Sequence, residues 1–141
     1  MTNPEDLKAG SSFQWQRLIT EEDVRKFSEI SGDKGIHHVE PDENGRLLAH
    51  GLLTASLPTK VGGDLNFIAR EMRFEFLRAV YSGDTLTCSG VVDSIVPQPK
   101  RFKVEFSFEV KNQLVKIVLK GTTSGMILRR NGDGAYNEPS S

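Results

Sequence analysis

The chain has one cysteine in 141 residues, no apolar run of membrane-spanning length and no excess of either charge, and each scarcity removes a class of protein. A lone Cys88 forms no internal disulfide, so no disulfide framework holds the fold, which fits a reducing compartment. Within a strand-like run its simplest role is that of a small buried hydrophobe. No segment is long and apolar enough to span a bilayer, and the start Met1-Thr2-Asn3-Pro4-Glu5-Asp6 lacks the basic patch and apolar stretch of a secretory leader. A cytoplasmic protein is expected. The 18 basic and 19 acidic residues are mixed along the sequence for a net charge of −1, so nothing provides a sustained footprint for nucleic acid or an anionic membrane. Internal repeats are lacking too.

What is present is enough apolar residue for one domain with its own core and too little length for two. Residues 1–12 read as a polar lead-in, 13–130 as a single domain, and 131–141, rich in Gly, Asn and Ser, as a flexible tail. Phe13, Trp15 and Leu18 suit a short strand. Thr20 is a good N-cap, Asp23 completes a capping-box pattern, and Val24, Phe27 and Ile30 follow at helical spacing until Gly32 closes the helix. Gly35, Pro41, Asn44 and Gly45 predict an irregular segment next. From Gly51, the run to Val61 is apolar enough for a buried helix that ends by Gly62-Gly63, bent or shortened at Pro58. After Asn66 the period changes. Ile68 to Leu77, Thr85 to Val96, Arg101 to Val110 and Leu114 to Leu128 read as strands, and Phe102 to Val110 alternates strictly between apolar and polar. Ser82-Gly83-Asp84 and Pro97-Gln98-Pro99-Lys100 are turns expected to join antiparallel neighbours. The class is α+β: one early helix, then an antiparallel sheet wrapped around a central helix. Such a sheet leaves open edges, and pairing with a second copy closes one, so a homodimer is expected.

The chemistry-bearing stretch is Ser31-Gly32-Asp33 through His37-His38, followed by His50-Gly51-Leu52-Leu53. It sets a carboxylate and an imidazole on one polar loop, ahead of a helix N-terminus whose free N–H groups favour developing negative charge. From the residues alone, Asp33 also reads as a turn-former and His38 as a loop histidine, with His37 an equally available imidazole. Asp84, after Gly83, is most simply a turn residue.

These pieces, in order, form a family pattern. Thr20-Glu21-Glu22-Asp23-Val24 with Phe27, Ser31-Gly32-Asp33 with His38, His50-Gly51-Leu52-Leu53 with Ser56-Leu57, and Phe74 to Leu77 with Val80 and Gly83-Asp84 span most of Phe13 to Leu128. The chain resembles the MaoC-like hydratases and dehydratases of the hot-dog fold, the family of the (R)-specific enoyl-CoA hydratases. The resemblance implies a hydro-lyase, free of cofactor and metal, interconverting 2-enoyl and (R)-3-hydroxyacyl thioesters of CoA or acyl carrier protein. It assigns Asp33 and His38 as the catalytic pair. Gly51, Thr59 and His50 become the oxyanion and substrate-binding group: Gly51 gives its N–H to the thioester oxygen, Thr59 stands where relatives carry a hydroxyl, and His50 fixes the loop at the helix entrance. Lys60, Arg70, Arg73, Arg78 and Lys100 are the cations available to CoA phosphates, or are merely solvated. Two departures stand out. Gly35-Ile36 replaces the family's Asn-Pro, and the segment between His38 and His50 is short, so the substrate entrance differs in shape.

Three other readings compete. A metal site built from Asp33, His37, His38 and His50 requires adjacent loop histidines to converge on one ion. A hot-dog thioesterase usually carries a carboxylate on or near the central helix, and Leu52 to Val61 has none. A non-catalytic module binding an acyl thioester is compatible with the Gly35-Ile36 replacement.

Overall fold

The computed structural model describes residues 4–130 of the chain. The lead-in is less detached than its polarity suggests: after a single helical turn at Pro4–Asp6, Leu7 is buried in the core, and Gly10 N–H donates to the Val92 carbonyl. The tail expected over 131–141 lies outside the described residues.

Strand β1 (Ser12–Leu18) leads into helix α1 (Glu21–Ser31). The predicted capping box is present: Asp23 N–H donates to Thr20 Oγ1 at 3.0 Å, and Thr20 N–H donates to Asp23 Oδ2 at 2.9 Å. Arg17 adds a 2.7 Å ion pair to the same carboxylate. Burial pushes the Asp23 carboxyl up, but the Thr20 hydrogen bonds and Arg17 outweigh it and hold it below its ordinary value. Gly32, left-handed at φ 77°, ends the helix with its N–H on the Ser28 carbonyl.

The segment expected to be irregular holds one helical turn, α2 (Ile36–Val39), because Gly35 and Ile36 carbonyls accept from His38 and Glu40 N–H. The central helix is broken as Pro58 predicts, into α3 (Gly51–Ala55) and α4 (Thr59–Leu65). It does not stop at Gly62-Gly63. The glycines lie inside α4, and the stop is Asn66, left-handed at φ 55°, bonded back to the Gly62 and Gly63 carbonyls.

Four strands follow: β2 (Phe67–Phe76), β3 (Thr85–Pro97), β4 (Arg101–Lys111) and β5 (Ile117–Leu128). All pairs are antiparallel, in the order β1-β3-β4-β5-β2. The turn at residues 97–100 does join neighbours, but the one at 82–84 does not. β2 lies at the far edge beside β5, and the connection from β2 to β3 instead packs on the chain ahead of α3. There Ala49 N–H donates to Val80 O, Ser82 N–H to Leu47 O and Gly83 N–H to Ile19 O. β5 begins later than its apolar pattern suggests, since Asn112 Oδ1 accepts from Leu114 and Lys116 N–H and curls Leu114 and Val115 into an exposed turn.

On β4 the predicted alternation holds: Phe102, Val104, Phe106, Phe108 and Val110 are buried. They share one core with Leu53 of α3, Val61 and Leu65 of α4, and Leu57 of the turn between them, so the sheet wraps the central helix, as expected. Cys88 is buried there as expected, and burial pushes its thiol up to about 11. No described helix is long and apolar enough to cross a membrane.

Candidate active site

Asp33 is placed by the end of α1. Its N–H donates to Ser31 Oγ at 3.1 Å, and that hydroxyl donates to the Phe27 carbonyl at 2.7 Å. The Gly35 N–H donates to Asp33 Oδ1 at 3.2 Å, closing a turn that fixes the carboxylate and leaves Oδ2 facing inward. At the Gly35-Ile36 replacement, the donor to Asp33 is a backbone amide. A Cβ at Gly35 would stand 3.2 Å from His37 Cε1 and 3.4 Å from Asp33 Oδ1, so the position is closely packed.

His38 is buried on α2, and its ring is oriented by Leu48. Nδ1 lies 2.5 Å from the Leu48 carbonyl, which only accepts, so Nδ1 carries the proton and the neutral ring keeps its lone pair on Nε2. Leu48 N–H donates in turn to the His37 carbonyl at 2.9 Å. Nε2 sits 3.6 Å from Asp33 Oδ2. That is beyond a direct hydrogen bond and within reach of one water held by both groups.

The short segment between His38 and His50 is tied down. Asp42 accepts from Arg46 and Asn44 N–H, with the Arg46 bond the largest cause holding its carboxyl below the ordinary value. Arg46 lies 3.9 Å over the Tyr81 ring, and Leu47 N–H donates to Ser82 Oγ.

His50 is buried beside the pair. Its Nε2 lies 3.0 Å from the Asp33 carbonyl and 3.1 Å from Ser28 Oγ, and its ring stacks on His38 at 3.7 Å and 13°. Ser28 had no sequence signal beyond its place on the inner face of α1. His37 is exposed, edge-on to His38 at 4.1 Å. Asp33, His38 and His50 bring three ligand-type atoms within 4.8 Å of one another. The two rings are stacked parallel, 3.7 Å apart, so the lone pairs of His38 Nε2 and His50 Nδ1 lie in separate parallel planes and do not converge on one point.

Gly51 opens α3 next to His50. The helix's first bonds run from Leu53 and Thr54 N–H to the His50 carbonyl, so the Gly51 amide precedes the ladder. A Cβ on Gly51 would meet Phe76 Cε1 at 2.9 Å. Gly51 also lines a mostly apolar cavity of about 330 Å³ with Leu48, Phe76, Leu77, Arg78 and Val118. Thr59 lines a second cavity of about 150 Å³, with Gly62, Phe67 and Phe108, and its hydroxyl donates to the Ser56 carbonyl. Asp33, His38, His50 and Gly51 are thus brought to one corner, with Thr59 in the separate cavity. Of the cations, Lys60 is paired with Asp64 at 2.7 Å, Arg73 with Glu71 at 3.0 Å, and Arg78 donates to the Ile117 carbonyl at 2.7 Å.

No protein-family model matches the chain. It is 27% identical over 137 residues to an (R)-specific enoyl-CoA hydratase of Rhodospirillum rubrum, covering 89% of this chain and 92% of that protein. The unliganded R-hydratase PhaJ1 from Pseudomonas aeruginosa superposes with a TM-score of 0.78 at 22% identity, over 97% of this chain and 90% of the other. A MaoC-like dehydratase from Rhodospirillum rubrum gives 0.74 at 20% identity, over 93% and 99%. The two structures show that the fold is the hot-dog fold implied by the motifs.

Proposed function

We infer that this chain is a hydro-lyase of the MaoC-like, hot-dog kind, interconverting 2-enoyl and (R)-3-hydroxyacyl thioesters by addition and elimination of water. The observation that carries the reading is the Asp33–His38 pair: an oriented imidazole with its Nε2 lone pair free, 3.6 Å from a carboxylate oxygen. Sequence likeness to an (R)-specific enoyl-CoA hydratase supports it.

Hydration needs a base for the water, a proton for the α-carbon and a donor for the thioester oxygen. One water held by Asp33 Oδ2 and His38 Nε2 loses a proton to His38 as its oxygen bonds to the β-carbon. Charge moves to the thioester oxygen, where the Gly51 N–H receives it. His38 then returns the proton to the α-carbon on the face from which the oxygen came. One H and one OH have been added to one face of the alkene, and elimination is the reverse. The cavity beside Gly51, about 330 Å³, is lined mostly by apolar side chains with Arg78 among them, which suits an acyl chain. A homodimer goes with this reading, because β2 ends the sheet with Met72 41% and Phe76 54% exposed, an open edge that a second copy would cover.

The test is loss of enone absorbance with crotonyl-CoA, with free thiol followed in parallel. Hydration without thiol release, abolished in Asp33→Asn, supports the assignment. Thiol release makes the chain a thioesterase, and neither signal from folded protein points to a different acyl group or carrier, or to a binding module.

A further inference from the structure

We propose that His50, seated on Ser28, is the positioning residue of the Asp33–His38 pair: one hydrogen bond from its ring holds the Asp33 backbone, and its ring face sets the plane of His38. The proposal rests on the reading of Asp33 and His38 as the reacting pair. Asp33 and His38 come from different local structures, the turn after α1 and the short helix α2, and His50 contacts both.

The Asp33 carbonyl only accepts, so the nitrogen 3.0 Å from it, His50 Nε2, carries the proton. Ser28 Oγ, 3.1 Å from the same nitrogen, braces the ring from α1. This fixes the opposite tautomer from that of His38, whose Nδ1 carries the proton. His50 Nδ1 is left buried with no partner among the described residues. An uncompensated buried nitrogen is costly, and a residue kept only to anchor a loop gains nothing from it. It is tolerated here because the ring is held by its other nitrogen and by its face: parallel stacking at 3.7 Å and 13° stops His38 from tilting about the Leu48 hydrogen bond. Ser28, His38 and His50 are each no more than 6% exposed, so this alignment is shielded from water.

Three variants separate positioning from anchoring. His50→Phe keeps a stacking ring and loses the Nε2–H donor, His50→Gln keeps an N–H donor and loses the ring, and Ser28→Ala removes the brace. With crotonyl-CoA as probe, His50→Phe is expected to lower kcat about 10- to 100-fold with KM held within about threefold, the scale of a misplaced reacting group. Partial recovery is expected in His50→Gln and a smaller loss in Ser28→Ala. The chain has 3 histidines, so ¹⁵N ring spectra resolve each tautomer without any turnover. The wild type should show His38 protonated on Nδ1 and His50 on Nε2, and His50→Gln, which loses the stacking ring, should move the His38 signals toward a tautomer mixture. Wild-type kcat in a folded His50→Phe, or His38 signals unchanged in a folded His50→Gln, overturns the proposal. A wild type that hydrates nothing defeats the reading of the reaction instead, and the spectra still decide whether His50 sets the His38 ring.

Discussion

Asp33 and His38 have different parts in the proposed reaction because their surroundings differ. The Asp33 side chain is 59% exposed and that of His38 is 7% exposed, so substrate and solvent reach the carboxylate while the imidazole is locked by Leu48 and His50. Removing either function by Asp33→Asn or His38→Gln is expected to lower kcat about 10²- to 10⁴-fold, the usual contribution of a positioned acid or base, with the fold retained by circular dichroism. Gly51→Ala acts through packing. Its Cβ would lie 2.9 Å from Phe76, so the ring must shift and the Gly51 amide with it. Activity should fall in Gly51→Ala and recover in part in Gly51→Ala with Phe76→Leu, which vacates the contact. Asp33, His38 and Gly51 were singled out in the sequence by the family pattern, and the fold brings them to one corner. Ser28 was not, since its role depends on how the inner face of α1 meets the entrance of α3, a tertiary fact with no local pattern.

Among the elements, those set by short-range chemistry matched their sequence. The Thr20–Asp23 capping box and the Gly32 stop of α1 are local hydrogen bonds, as is the Pro58 break between α3 and α4. Thr20→Ala should cost about 1 kcal/mol in denaturant unfolding. Asp23 is held below its ordinary 3.8 in the folded chain, so its stabilisation is present above that pH and lost as pH falls through the lower folded value. The stability gap between wild type and Asp23→Asn should therefore narrow as pH drops below 3.8, by chemical unfolding at each pH. Elsewhere competing side chains moved the boundaries. Asn112 captures the amides of Leu114 and Lys116, which delays β5, and Asn66 rather than Gly62 provides the left-handed stop of α4. The pairing of β2 with β5 was illegible because the turn at 82–84 bonds to Ile19 and Leu47 rather than closing a hairpin.

Over the whole molecule, the edge strand β2 lies tight against β5 at two glycines. A Cβ at Gly121 would lie 2.2 Å from the Arg73 carbonyl oxygen and one at Gly125 2.0 Å from that of Ile68, both backbone atoms. Gly121→Ala or Gly125→Ala should peel β2 away and destabilise the fold by about 3 kcal/mol or more, seen as a large drop in the denaturant midpoint. Cys88 reports on the same core. At 1% exposed and with its thiol pushed up to about 11 by burial, it should resist thiol reagents until the chain unfolds. Stability should also decline as pH rises from 9.0 toward about 11, because the unfolded chain releases that proton first. The central claim is that one water, held by Asp33 and His38, is added to one face of an enoyl thioester. Hydration of crotonyl-CoA in D₂O, with the product's C2 and C3 configurations read by NMR, tests it most directly. The account predicts (R)-3-hydroxybutyryl-CoA with deuterium placed syn to the new hydroxyl, and product formed about 10²- to 10⁴-fold more slowly by Asp33→Asn. Anti addition, an (S) product, or a full rate in Asp33→Asn would contradict it.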